Sequence, residues 1–425
     1  MRRGLAIALA VLAVVIVGAG LFFFWPAGAP RAVAAPATPA LAARGAYVAT
    51  AADCVACHTV EGGRAYAGGR AFRLLFGTIY SPNITPDRET GIGAWTDAEF
   101  VRAVRQGVGR EGEELYPAFP YTSYHHLTEA DAVAIKAYLF SLAPVKAKAP
   151  ENTLAFPFNQ RPIMRGWKLL FMTRGELPKA ASPELARGAY LVEGLGHCGE
   201  CHTPRNLLYG LERGKNLSGE TMQGWTAWNI TPDADHGIGR WSTEEIASYL
   251  KTGHAVGRGA ASGPMKEAVD YSLSKLTDAD LRAMAVYLKS VKAQARGPAV
   301  DREPASLRAA TDLSPGGAKD GNDLGLRIFE GACASCHTWS GQGLQSPYAA
   351  LKGLKSVNDP KATNVIQAVL RGGVVRTNDP GAHMPAFGHA YTDAEIAAVS
   401  NYVVAHFGGR KGEATAEDVA RARRD

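Results

Sequence analysis

At 425 residues the chain exceeds one ordinary hydrophobic core, which sets an expectation of two to four domains. A composition 46% hydrophobic and 20% charged is that of a globular protein and excludes a mainly disordered chain, a collagen or a polytopic membrane protein. The net charge of +6 comes from 46 basic against 40 acidic residues, and Arg2 and Arg3 supply two of the excess charges, so no nucleic-acid partner is expected.

At the amino terminus, Arg2 and Arg3 precede an uncharged apolar run from Leu5 to Trp25. A cleaved signal carries roughly 7–15 apolar residues and a bilayer span about 20, so residues 1–30 read as a signal peptide or, preferably, a retained transmembrane anchor. The following AVAAPATPALAA offers small residues to a peptidase. In either case the two leading arginines keep the terminus inside, which puts the bulk of the chain across the membrane and outside the cytoplasm.

The rest of the chain repeats itself. LAARGAYVATAADCVACHT (41–59) returns as LARGAYLVEGLGHCGECHT (185–203), and a shorter copy, LGLRIFEGACASCHT, ends at Thr338. NITPDRETGIGAW (Asn83–Trp95) matches NITPDADHGIGRW (Asn229–Trp241) at an offset of 146. Each unit closes with a Thr-capped amphipathic segment, from Leu127, Leu276 and Tyr391. Three units of about 100 residues follow, helical at both ends with a Gly/Pro-rich middle and no competing strand pattern. Expected are a mainly α fold of three tandem domains at 31–145, 182–293 and 322–409, linkers at 146–181 and 294–321, and a charged, helical or frayed tail at 410–425. The first linker contains LAFPFNQRPIMRGWKLLF, richer in aromatics than a passive connector needs, and is expected to pack against a neighbouring domain, a partner subunit or the membrane. The second reads as plain linker.

All six cysteines fall in C-x-x-C-H strings: Cys54/Cys57/His58, Cys198/Cys201/His202 and Cys333/Cys336/His337. This is the attachment signature of c-type haem. Two thiols on one turn reach the two vinyl groups of one porphyrin, and the next residue sends imidazole to the iron. A single C-x-x-C is open to a thioredoxin-like or zinc reading; three copies, each followed by His, in an exported chain point to three covalent haem c groups, and with the helical repeats to three tandem class I cytochrome c-type domains.

A sixth ligand is sought next, and methionine raises the potential of electron-carrying cytochromes. Met384 in HMPAFG lies eight residues before Thr392, and Met265 in SGPMKEA twelve before Thr277, where a loop would return over the haem. Unit one breaks the pattern: the offset of 146 sets Phe119 opposite Met265, and no methionine occurs between Met1 and Met164. Its iron is expected to be open or water-bound, or to take His125 or His126 on the same loop, or a displaced Met164. His197, His254 and His383 read as structural or haem-edge groups, and Trp95 and Trp241 as core or haem-packing residues. No catalytic constellation stands out, so the chain reads as a carrier of electrons with no catalytic residue for a substrate of its own.

On the strings RGAYLVEGLGHCGECHTPRN, NITPD…GIGRW, SGPMKEAV…SKLTDADL and HMPAFG…YTDAEIAAVSNYV, residues 40–409 resemble the triheme cytochrome c subunit of membrane-bound bacterial dehydrogenases for alcohol, gluconate, fructose, sorbitol or aldehyde. The resemblance implies a separate catalytic partner that bears flavin, pyrroloquinoline quinone or molybdopterin, and delivery of electrons to ubiquinone or an oxidase. Family members commonly have LYPAMPY where this chain has Leu115–Tyr121 with Phe119; the Phe form resembles the variant associated with molybdenum hydroxylases for aldehydes or heterocycles such as nicotinate. The rival readings are a free-standing periplasmic carrier and a peroxidase or nitrogen-oxide reductase working at an open first haem.

Overall fold

The computed structural model describes residues 2–25, 27–31, 38–172, 177, 179–300, 310–315, 323–344, 346–374 and 383–424. Helix α1 (Arg2–Phe24) is followed in the first repeat by α2 (Pro39–Ala51), α3 (Cys54–Cys57), the hairpin β1 (Ala71–Leu74)–β2 (Gly77–Tyr80), α4 (Asp97–Gln106), α5 (Tyr121–Tyr124) and α6 (Glu129–Ser141). A connecting helix α7 (Ile163–Phe171) leads to the second repeat: α8 (Pro183–Ala189), α9 (Gly199–His202), β3 (Glu220–Met222)–β4 (Trp225–Ala227), α10 (Thr243–Thr252), β5 (His254–Ala255)–β6 (Gly259–Ala260), α11 (Gly263–Tyr271) and α12 (Asp278–Ser290). The third repeat holds α13 (Asp323–Ala332), α14 (Ala334–His337), α15 (Thr363–Arg371), β7 (Gly373–Val374)–β8 (His383–Met384) and α16 (Asp393–Gly408), and α17 (Ala416–Arg424) closes the chain. The fold is mainly helical as expected, but among the described residues four antiparallel hairpins accompany the helices. Their strands are two to four residues long, too short for an alternation to register in sequence.

In every repeat the helix before the cysteines crosses the closing helix: α2 on α6, α8 on α12 and α13 on α16. The first two crossings share their chemistry. Arg44 pairs with Asp131 and Arg187 with Asp280, each at 2.7 Å. The next residue is glycine both times, because a Cβ on Gly45 would lie 1.8 Å from the Ala134 carbonyl and one on Gly188 2.1 Å from that of Ala283. The closing helices begin where the sequence put them, with the Thr128 and Thr277 hydroxyls capping Asp131 and Asp280 N–H and Thr392 forming a capping box with Glu395.

The second repeat has one residue more than the first between this glycine and the first cysteine, Gly188 to Cys198 against Gly45 to Cys54. The extra residue is absorbed where α8 widens into a π turn over Tyr190–Leu195. Leu191, Val192 and Leu195 thereby stay buried.

NITP is a buried clamp. The Asn83 side-chain amide donates to the Val145 and Ala147 carbonyls (2.7 and 3.2 Å) and its oxygen accepts from the Thr85 N–H and hydroxyl. Asn229 repeats this with Gln294, Arg296 and Thr231. Each clamp fastens the mid-repeat loop to the chain leaving the closing helix.

By their internal packing the residues form two compact units, one of 1–178 with 193–197 and 207–210, the other of the rest, which contains the second and third cysteine motifs. Inside the second unit the third repeat docks on β4: Asn364 accepts from Thr226 N–H (2.8 Å) and donates to its carbonyl (2.9 Å), while Gln367 donates to the Gly224 carbonyl. The tail is not frayed. Val419 and Ala422 of α17 are buried, and Arg423 pairs with Asp393 of α16. The second linker is not plain throughout, since Val300 N–H donates to the Asp235 carbonyl; its residues 301–309 and 316–321 lie outside the described residues.

Candidate functional site

Each C-x-x-C-H string closes one helical turn, with the histidine N–H donating to the carbonyl of the first cysteine: His58 to Cys54 (3.1 Å), His202 to Cys198 (3.0 Å) and His337 to Cys333 (2.9 Å). Both thiols and the imidazole therefore leave the same turn. No disulfide joins any of the six cysteines. Burial, reinforced by Asp53 and Cys57, pushes the Cys54 thiol up to about 12, and burial pushes that of Cys333 up to about 11. A thioredoxin-like pair needs the opposite, a depressed pKa that yields thiolate. Among the described residues no group of three or more His, Cys, Asp or Glu converges as a zinc site requires.

The three imidazoles are held alike. His58 Nδ1 lies 2.7 Å from the Pro82 carbonyl, His202 Nδ1 2.5 Å from that of Trp228 and His337 Nδ1 2.6 Å from that of Ala349. A carbonyl only accepts, so Nδ1 carries the proton and the lone pair sits on Nε2, the tautomer and aim an axial ligand needs. Burial lowers the pKa of all three rings, which keeps them neutral. Pro82 and Trp228 immediately precede the asparagines of the two NITP clamps, so the clamp also sets the carbonyl that orients the ring. Sequence reasoning missed these three acceptors; the return of NITP after the histidine, 25 residues on in the first repeat and 27 in the second, was the available signal there.

Met265 stands in the first turn of α11, half-buried, and the helix start is pressed against β4: a Cβ on Gly263 would lie 2.4 Å from the Trp225 ring. The hairpin carrying Trp225 packs through β3 on α9, which ends in His202. Met384 lies on β8 opposite Gly373, half-buried against the third apolar core, whose margin also includes Cys333 and Ala334. In the first repeat Phe119 packs edge-on against Tyr124 at 5.6 Å, and the Tyr124 hydroxyl donates to the Ala52 carbonyl (2.6 Å), two residues before Cys54. The loop thus returns to the cysteine motif. His125 and His126 follow it with ring centroids 5.9 Å apart, and burial holds His125 below the usual imidazole range. Met164 is buried on α7. Trp241 packs on Tyr249 (5.6 Å), and His254 is buried with its ring 4.6 Å from Tyr348.

Lys355 of the third repeat is a residue sequence gave no reason to single out. Its Nζ is shut off from solvent with no hydrogen-bond partner, within electrostatic reach of His202 and Asp233 of the second repeat. Burial pushes it down to about 8. A buried cation without a hydrogen-bond partner beside His202 suits a site that receives an anionic group such as a propionate-bearing porphyrin. The paired thiols, the oriented Nε2 atoms and this cation fit haem c.

A Cytochrome c family model matches residues 42–143 and 323–406. The chain is 42% identical over 402 residues to one of the subunits of nicotinate dehydrogenase from Pseudomonas putida, covering 90% of this chain but 32% of that protein, so it spans about a third of that relative's length. It is 37% identical over 417 residues to the fructose dehydrogenase cytochrome subunit of Gluconobacter japonicus, covering 92% of this chain and 86% of that one. Identity to the gluconate 2-dehydrogenase cytochrome c subunit of Pantoea cypripedii is 39% over 407 residues, 92% and 91% of the two chains. Near-complete coverage of two such subunits joins the histidine geometry to a single conclusion: the chain belongs to the family of cytochrome c subunits of bacterial dehydrogenases and carries covalently bound haem c.

Proposed function

We propose that the chain is the electron-transfer subunit of a membrane-bound periplasmic dehydrogenase and carries three haem c groups, one per repeat, in domains at 31–145, 182–293 and 322–409. The observation that carries the count is the threefold recurrence of one arrangement, a C-x-x-C turn whose histidine gives its Nδ1 proton to a backbone carbonyl. Cys54 and Cys57, Cys198 and Cys201, and Cys333 and Cys336 would hold the haems through thioethers, and His58, His202 and His337 would offer imidazole nitrogen to the irons. Met265 and Met384 would serve as the further ligands of the second and third haems; the first, with Phe119 in the methionine place, would be open or take His125, His126 or a displaced Met164.

Haem c supplies a one-electron iron couple, and the chain's residues determine how it is held. The carbonyls of Pro82, Trp228 and Ala349 fix ring tautomer and aim, and so would hold each imidazole ready for the iron. Methionine or its lack would tune the potential. Helix α1 tethers the subunit, and electrons pass from the catalytic subunit to ubiquinone or the respiratory chain. Phe119 and the likeness to the nicotinate dehydrogenase component favour a molybdopterin-bearing partner for an aldehyde or nitrogen heterocycle over a flavin or quinone one.

The test is purification from native membranes in mild detergent, mass spectrometry of co-purifying chains, and haem reduction by a panel of alcohols, sugars, aldehydes and nicotinate. Substrate-driven reduction with a co-purifying catalytic subunit is expected. A solitary cytochrome that no substrate reduces would overturn the reading in favour of a free-standing carrier.

A further inference from the structure

Helix α7 is built inside out relative to a helix on a water-facing surface. Its cations turn inward: Arg165 pairs with Glu114 (2.9 Å), and Lys168 donates to the Gln106 and Gly107 carbonyls and to Glu114 (2.5 Å). Its apolar residues turn outward, with Leu169 and Leu170 55% and 67% exposed and Ile163 also open. The patch continues beyond the helix. Phe156 is exposed just before it, and the Leu207–Leu208 turn, with Leu207 fully exposed, is tied to α7 by the Trp167 indole N–H donating to the Leu208 carbonyl (2.8 Å). Exposed apolar surface grouped in this way marks a place that something covers.

The position of α1 identifies what covers it. Its apolar span Arg3–Phe24 has 22 residues, none of them buried in the protein, and at about 1.5 Å per residue it matches a hydrocarbon core of about 30 Å. Where it ends, Arg165 of α7 donates to the Phe22 and Trp25 carbonyls (2.9 and 2.6 Å), capping acceptors that a helix end leaves open. Gly166 lets the two helices approach, since a Cβ there would lie 3.2 Å from the Phe23 ring. Arg102 adds a bond to the Gly28 carbonyl. The first unit thus holds α7 at the depth where α1 leaves the bilayer.

We infer that the outward face of α7, with Phe156 and the Leu207–Leu208 turn, is a phospholipid-binding surface seated at the head-group and acyl boundary of the outer leaflet. The inference rests on the reading of α1 as membrane-borne. An apolar face lying flat at the interface gains burial without crossing, and the inward cations need no water.

The test uses the haem-loaded complex in phosphatidylethanolamine/phosphatidylglycerol nanodiscs, with nitroxide labels at Leu169→Cys, Leu207→Cys and, as control, Val256→Cys, which is 71% exposed. The native cysteines are held as thioethers and do not label. Oxygen is expected to relax the labels at 169 and 207 severalfold more than a water-soluble nickel chelate does, with the order reversed at 256. Chelate access at 169 and 207 equal to that at 256 would overturn the inference, as would exclusion of both relaxants, which would assign the face to the catalytic subunit or a second copy. Mass spectrometry of the amino terminus separates this from the anchor reading. A chain cut near residue 30 whose labels still sit in lipid keeps the surface and removes the anchor, whereas an intact α1 with wet labels removes the surface alone.

Discussion

Lys355 is the residue whose environment most directly predicts a measurable effect. Its buried cation stands within electrostatic reach of His202, and a positive charge there disfavours the oxidised, more positive iron proposed at the second site. Lys355→Met is expected to lower that haem's midpoint potential by roughly 60 mV, a tenfold change in a one-electron equilibrium, and an unchanged redox titration would count against it. The sign carries over to pH. As Lys355 loses its proton with rising pH the positive charge disappears, so the potential should fall in the native protein and not in Lys355→Met, above about 8 where an anionic group pairs with the lysine. Phe119 gives a second test: Phe119→Met should add a methionine–iron charge-transfer band in the near-infrared and raise the potential of the first haem, while an unaltered spectrum would mean that the loop does not deliver position 119 to the iron. The cysteines, the histidines and the Phe119 departure were legible in sequence because each is a residue type in a repeated frame. The carbonyls of Pro82, Trp228 and Ala349 were not, because every residue offers a carbonyl and only folding selects which one meets the ring.

At the scale of elements, the crossings beside the first two cysteine motifs depend on glycine. A methyl group at Gly45 or Gly188 would overlap the facing helix backbone at 1.8 or 2.1 Å, and backbone cannot rotate away as a side chain does. Gly45→Ala and Gly188→Ala are each expected to force the helices apart and cost about 1–3 kcal/mol, read as a lower thermal midpoint of the holo-protein with reduced haem incorporation. Equal stability of both variants would mean the crossing is looser than described. The helices themselves were readable from caps and apolar period. The hairpins were not, since two to four residues carry no period. The π turn over Tyr190–Leu195 was implicit in the one-residue difference between the repeats, but only the requirement to keep Leu191, Val192 and Leu195 buried says that the helix widens instead of looping out.

For the whole molecule, three sequence repeats do not mean three independent bodies. The second and third share one compact unit, joined where Asn364 satisfies both backbone groups of Thr226 and Gln367 reaches Gly224. Repeat detection could not reveal this, because the contact uses residues from the unrepeated parts of each copy, as Lys355 also does. Asn364 and Gln367 are both buried, so removing their amides leaves an N–H and carbonyls unpaired, at about 1–3 kcal/mol for each group. In the double variant Asn364→Leu with Gln367→Leu, calorimetry of the holo-protein should resolve separate transitions for the second and third repeats where the native chain unfolds them together. The same separation would change the surroundings of Lys355, so the second haem's potential should fall in the double variant in the direction expected for Lys355→Met. A single cooperative transition with an unchanged potential would mean that the two repeats are held together elsewhere.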